Sequence, residues 1–185
     1  MKKNVCVLVA DGSEEMEVVI VVDVLRRAGI GVFLAGVGEE TRMVTTSRGV
    51  RIAPDGAWDP AEEMRFDALV IPGGIGGTQV MRQDESVKQA VREFLQAGKW
   101  VASICAGPEV LQEAGVLAGR TYTSHPGSRA ELTAGTWVDR PVVRDGNLVT
   151  SQAPGTAFAF ALALVEILDS PETARKVAGG MQYRA

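Results

Sequence analysis

Cys105 is the residue best placed to do chemistry. The apolar run WVASIC ends in it and AGP follows at once. Pro108 suits the first turn of a helix. The cysteine therefore falls between a strand and a helix N-terminus, the setting of a nucleophile on a strand–turn–helix elbow. Free amides and the positive end of the helix are expected to favour thiolate over thiol there. The other reading of such a residue is a buried structural cysteine, and for Cys6, in mid-strand among valines, that reading is preferred.

Glu17 is the second candidate. On a helix its neighbours at three, four and seven residues onward are Ile20, Val21 and Val24. A carboxylate in that apolar stripe is unfavourable unless paired or protonated, and desolvation raises its pKa toward the range of a proton shuttle. A paired or snorkelling surface acid is the competing reading. Glu14 and Glu15 read as helix-start charges.

A third signal is the run Gly73, Gly74, Ile75, Gly76, Gly77 after a strand. Glycines there let backbone amides approach a ligand or an oxyanion, although a plain turn has the same spacing. The dinucleotide pattern fails, because its third glycine would fall at Gln79, and no Gly-Lys-Ser/Thr sequence completes a phosphate loop. His125 follows Cys105 by twenty residues in TSHPGS, within reach of a Cys–His pair or simply in a loop. Asp23 and Arg48 draw no functional reading from their local context.

The elements that must position these residues alternate in type. NVCVLVA, GVFLAGV, FDALVIP and WVASIC read as buried strands. The Val-rich segment after Gly12 reads as a helix, from its length, a cap at Ser13, acids in the first turn and Gly29 at its end. A hairpin is expected at SRG, a helix over 84–99 capped by Asp84, and a helix after Cys105. A strand pair follows around VDRPVVRDGNLVTS, then helices over 155–169 and from Pro171. Such alternation predicts a mostly parallel sheet with helices on both faces, its ligand crevice beyond the carboxyl ends of the strands. Ala10-Asp11-Gly12, Pro72-Gly73-Gly74 and Ile104-Cys105-Ala106 lie at three such ends.

Composition narrows the function classes. The 185 residues predict one domain over 1–185, and a net charge of -4 with a pI near 5.1 argues against nucleic-acid binding and an anionic membrane surface. One histidine and two distant cysteines form neither a metal site nor a disulfide framework. With no secretory signal or membrane span in view, a thiol-reducing cytoplasm is the expected location.

Taken in order, ADGSEEMEVV, VDVLRRAGI, TSRGV, VIPGGIGG, SICAGP, SHP and TSQAPGT resemble the DJ-1/ThiJ/PfpI superfamily, and within it the DJ-1/YajL branch. The resemblance runs over essentially the whole chain. It implies a flavodoxin-like α/β sandwich, related to the class I glutamine amidotransferases and usually homodimeric. It implies that Cys105 is the reactive cysteine and that Glu17 hydrogen-bonds its sulfur. Gly74 and Ala106, with Gly73 beside them, would line an oxyanion pocket. His125 would be the nearby histidine and Asp23 the residue that reaches it from the partner subunit. Arg48 and Pro154 would lie near the dimer interface and pocket, and Glu15, Ile20 and Arg27 in the interface. Ala106 stands where the protease-like branch has a histidine, which removes the expected peptidase base. Pro126 and Gly127 after His125 depart from an amidotransferase triad.

The implied activity is cofactor-free and metal-free: a glyoxalase or protein deglycase of the stress response, acting on methylglyoxal, glyoxal or early glycation adducts. The alternative is a redox-sensing or chaperone protein whose cysteine oxidises to sulfinic acid with little turnover. A nucleotide- or flavin-binding module has only the fold in its favour.

Overall fold

The computed structural model describes residues 2–38, 42–62 and 65–184. Its central sheet has the strand order β10-β11-β7-β6-β1-β2-β5, where β1 is Asn4–Val9, β2 Gly31–Gly36, β5 Gly56–Ala57, β6 Ala68–Ile71, β7 Trp100–Ile104, β10 Val142–Asp145 and β11 Leu148–Ser151. All pairings are parallel except β10 with β11. This is the expected flavodoxin-like α/β sandwich. The hairpin at SRG forms from β3 (Val44–Thr45) and β4 (Arg51–Ile52), outside the main sheet. A separate parallel pair joins β8 (Thr121–Tyr122) to β9 (Thr136–Trp137).

Period-two alternation divides each strand between two cores. Val5, Val7 and Val9 of β1 face one helical layer: α1 (Glu15–Arg27), α5 (Ala157–Leu168) and α6 (Pro171–Gly180). Cys6, Leu8 and Ala10 face the other: α2 (Ile75–Gln83), α3 (Glu85–Gln96) and α4 (Pro108–Glu113). Val18, Val21, Val24 and Leu25 make the buried stripe of α1, which packs with Phe160, Ala161 and Leu164 of α5. That burial overrides the strand propensity of a valine-rich segment. Asp84 caps α3 as expected, accepting from the amides of Ser86 and Val87.

Two local expectations are corrected. The cap of α1 is Glu14, whose carboxylate accepts from the Glu17 amide at 2.8 Å. Ser13 instead turns its hydroxyl back to the Ala10 amide at the end of β1. The glycine run is no simple turn, because Gly74 caps α2 and Ile75, Gly76 and Gly77 form its first turn. Glycine is a poor helix former. It is required here by contact with the β1–α1 loop, where a Cβ on Gly77 would fall 2.7 Å from Ser13 Cα.

Candidate active site

Strands β1, β6 and β7 are neighbours, so their carboxyl ends deliver three loops to one place. The first brings Glu14 and, one turn into α1, Glu17. The second brings Gly73 and Gly74, and the third Cys105 and Ala106.

Cys105 has φ 64°, in the left-handed region that side chains other than glycine rarely occupy. Two backbone bonds hold it there. Its N–H donates to Ser151 O at 3.0 Å and its carbonyl accepts from the His125 N–H at 2.9 Å. Such strain, of about 1–3 kcal/mol, persists only where the surroundings over-determine the backbone. The turn aims the sulfur out of the sheet, between the amides of Gly74 and Ala106, both of which favour its anion.

Glu17 is 1% exposed. One carboxyl oxygen accepts from the Gly73 amide at 2.7 Å. The other, Oε1, is buried with no hydrogen-bond partner, although the Cys105 thiol acts on the same carboxyl. Burial therefore pushes the Glu17 pKa up to about 7 against the opposing pull of these donors. Gly73 makes the approach possible: a Cβ there would fall 2.5 Å from Cys105 Cβ and 2.7 Å from Glu17 Oε2.

The expectation of a resting thiolate is corrected. Burial, and then the charge of Glu17 beside it, push the Cys105 thiol up to about 12. Helix α4 is only six residues long, too short for a strong dipole, so the amides of Gly74 and Ala106 oppose this shift only in part. The two groups compete for protons in one buried space. Ionising the sulfur costs less once Glu17 is protonated, which removes the neighbouring charge while both amides stay in place.

The site opens into a cavity of about 970 Å³ whose lining includes Cys105, His125, Arg48, Pro154, Glu14 and Arg82. His125 is exposed and begins a short 3-10 turn, Pro126–Ser128. Its Nδ1 accepts from the Gly127 N–H at 3.0 Å, which leaves Nε2 to carry the proton of the neutral ring. Its tie to Cys105 runs through the backbone. Arg48 is exposed on the β3–β4 turn, and its amide donates to Glu15 at 3.0 Å. Glu15 also accepts from Ser47, and these donors hold its carboxyl below the usual range despite burial. Asp23 is paired with Arg27 one turn on, at 2.5 Å, on the exposed side of α1. Within the chain it does not bond His125.

Sequence reasoning passed over several lining residues. Arg82 of α2 bridges Glu109 at 3.1 Å and Glu113 at 2.9 Å on α4. No local pattern links residues so far apart. Ile75 is 87% exposed at the cavity mouth, hidden among glycines that read as a turn. Among the described residues, no group of three His, Cys, Asp or Glu could hold a metal ion, and no helix is long and apolar enough to cross a membrane.

The sequence model of the DJ-1/PfpI family matches residues 3–167. The chain belongs to the DJ-1/PfpI family. Protein dj-1beta of Drosophila melanogaster is 43% identical over 184 residues, 98% of this chain and 97% of its own. The glutathione-independent glyoxalase DJR-1.2 of Caenorhabditis elegans is 36% identical over 173 residues, 92% and 91% of the two chains. Among solved structures, Drosophila melanogaster DJ-1beta superposes with a TM-score of 0.94 at 41% identity, covering both chains in full. Oxidized Toxoplasma gondii DJ-1 superposes with a TM-score of 0.92 at 36% identity, covering 99% and 100%. The sheet order and the helices on both its faces are thus those of a DJ-1/PfpI family member.

Proposed function

We propose that this protein is a cofactor-free glyoxalase of the DJ-1/PfpI family, with Cys105 as nucleophile. The observation that carries the reading is the buried Glu17 carboxyl with a raised pKa and an unpartnered Oε1 beside a cysteine at a strained elbow. A relative named as a glutathione-independent glyoxalase supports it.

With methylglyoxal the steps balance without an oxidant. The Cys105 proton passes to Glu17 and the sulfur adds to the aldehyde carbon, forming a C–S bond. The oxygen of the adduct faces the amides of Gly74 and Ala106, which stabilise its negative charge and then its protonated hemithioacetal. Glu17, having returned its proton, takes the hydrogen from the former aldehyde carbon. It delivers that hydrogen, as a proton, to the adjacent carbon, while the hemithioacetal hydroxyl gives its proton through solvent to the ketone oxygen; the former aldehyde carbon becomes a carbonyl and the ketone a hydroxyl. The result is a thioester of lactate, which water cleaves to lactate and free thiol. His125, facing the same cavity, assists proton movement with solvent. In a deglycase variant of the reaction the same sulfur attacks a glycation adduct and frees its amine.

The test is lactate formation from methylglyoxal by the native protein and by Cys105→Ser. Equal turnover by the two would sink the reading. A preformed glycation adduct, assayed with free aldehyde scavenged, separates glyoxalase from deglycase action.

The same unpartnered oxygen favours a second reading, redox sensing. Peroxide would oxidise the sulfur in two steps to sulfinic acid, releasing water at each, and a protonated Glu17 would donate to the product. A solved relative is described as oxidized. A gain of two oxygens at Cys105 before Cys6, by peptide mass spectrometry, is the expected signature.

A homodimer completes the proposal. Met16 and Val19 on α1 and Val50 beside Arg48 are each about half exposed. On the family resemblance, a second copy seated there would bring Asp23 toward His125 of the partner subunit. Sedimentation at micromolar concentration should give twice the 19.6 kDa chain mass; a monomer would refute it.

A further inference from the structure

The wall of the cavity that carries His125 is braced from outside, by a residue that does not line the cavity. Trp137 is the last residue of β9 and pairs with Tyr122 of β8. Its indole N–H donates to Ser124 Oγ at 3.1 Å. Ser124 is fully buried, and its hydroxyl in turn donates to the His125 carbonyl at 3.1 Å. The face of the same indole lies 4.8 Å from the guanidinium of Arg129. Arg129 is the residue that ends the 3-10 turn beginning after His125. One side chain therefore grips the Pro126–Ser128 turn at both ends, through a hydrogen-bond relay at the start and a cation–π contact at the finish.

The turn needs such support. It is three residues long, and its internal bonds are few: His125 Nδ1 accepts from Gly127 N, the His125 carbonyl from Ser128 N at 3.0 Å, and the Pro126 carbonyl from Arg129 N at 3.2 Å. Short 3-10 segments have poor hydrogen-bond geometry and little stability of their own. Yet the His125 amide is also one of the two bonds that hold Cys105 at its positive φ. A shift of the turn would move the imidazole and loosen the elbow together.

We propose that Trp137 is a positioning residue: through Ser124 at one end and Arg129 at the other, it fixes the turn so that the His125 imidazole keeps its face to the cavity. The proposal rests on the functional reading above only for its consequence in catalysis; the bracing itself is a statement about one imidazole.

The chain has a single histidine, so its ring signals need no assignment. The experiment is ¹⁵N NMR of that imidazole at a pH where it is neutral, in the native protein, Trp137→Phe, Ser124→Ala and a remote control, Trp100→Phe. Trp137→Phe keeps a smaller aromatic face for Arg129 and removes the N–H, and Ser124→Ala breaks the same relay with the indole in place. Trp100 lies at the far end of β7 from Cys105. In the native protein the two ring nitrogens should be well separated, with Nε2 protonated. In Trp137→Phe and Ser124→Ala they should converge, as the Gly127 bond to Nδ1 is lost part of the time, while Trp100→Phe stays native. Far-UV circular dichroism checks that each variant is folded. Native-like ring signals in both folded bracing variants would overturn the proposal, and so would equal convergence in the Trp100 control. Steady-state kinetics supply the second readout. Loss of one such hydrogen bond should lower kcat on methylglyoxal about three- to tenfold with KM held within about twofold. A native protein inactive on methylglyoxal would end the glyoxalase reading and leave the NMR result to decide the bracing alone.

Discussion

Cys6 and Cys105 are the same residue in two regions of one sheet. Cys6 sits in the middle of β1, 1% exposed, in register with Phe33 on one side and Leu69 on the other. Cys105 stands one residue past the end of β7, where the backbone turns to a positive φ and a cavity opens. Cys6 is buried, whereas Cys105 is partly exposed at its cavity. Cys105 also has company at its strand end: a carboxyl that can take the proton, two amides that favour the anion, and a route for substrate. Sheet interiors are filled by neighbours on every side, whereas strand ends are built from loops whose backbone groups are free to point at a ligand.

The largest effect should come from exchanging the two positions as targets. On the proposed reading Cys105→Ser loses turnover by about a thousandfold or more, since covalent catalysis loses its nucleophile. Cys6→Ala should keep turnover within about threefold and lower stability by about 1 kcal/mol for the small void it leaves. Steady-state rates and urea unfolding of both variants check this. Comparable activity losses from the two would erase the distinction. Iodoacetamide should sharpen it, by labelling Cys105 in the folded protein well before Cys6.

Much of this contrast is written locally in the chain. Cys105 and Glu17 are legible because each violates its own surroundings, a thiol at a strand–helix boundary and an acid in an apolar stripe. The strands are legible because buried parallel strands are continuous runs of valine, leucine and isoleucine. Long-range contacts decide the rest. Helix α2 begins in glycines because it presses on the β1–α1 loop, and no local propensity reports that contact. Glu14 rather than Ser13 caps α1 because Ser13 is engaged with the end of β1. The thiol's resistance to ionisation follows from burial and then from a carboxyl 88 positions earlier in the chain, neither of which a local reading of the elbow includes.

Glu17 supplies the next effect in size. Its folded pKa of about 7 lies above the ordinary 4.5, so the folded state holds the proton more tightly than the unfolded chain. Stability contributed by the protonated carboxyl is full below about pH 4.5 and is lost as pH rises toward 7. Glu17→Gln has no such loss. Its stability relative to the native protein should therefore rise between pH 5 and pH 8, by up to about 3 kcal/mol. Chemical denaturation across that range is the measurement. A flat difference would mean that the carboxyl is not held in a desolvated state.

The smallest expected effect lies at the rim. Arg82 joins α2, whose capping Gly74 offers one amide to the sulfur, to α4, which follows the Ala106 amide. Its side chain is about a quarter exposed, and Glu109 is less so. Partly exposed ion pairs contribute about 0.2–1 kcal/mol each and weaken with salt. Arg82→Met keeps the aliphatic stem and removes the bridge. The melting temperature should fall by about 2–4 °C, and by less in 1 M salt. If the bridge also sets the spacing of the two amides, kcat/KM should drop about two- to threefold with the Glu17 linkage unchanged. A stability loss with native kinetics would assign Arg82 to the scaffold, and would place the boundary between the sheet and its chemistry at the glycines, one turn nearer the sulfur.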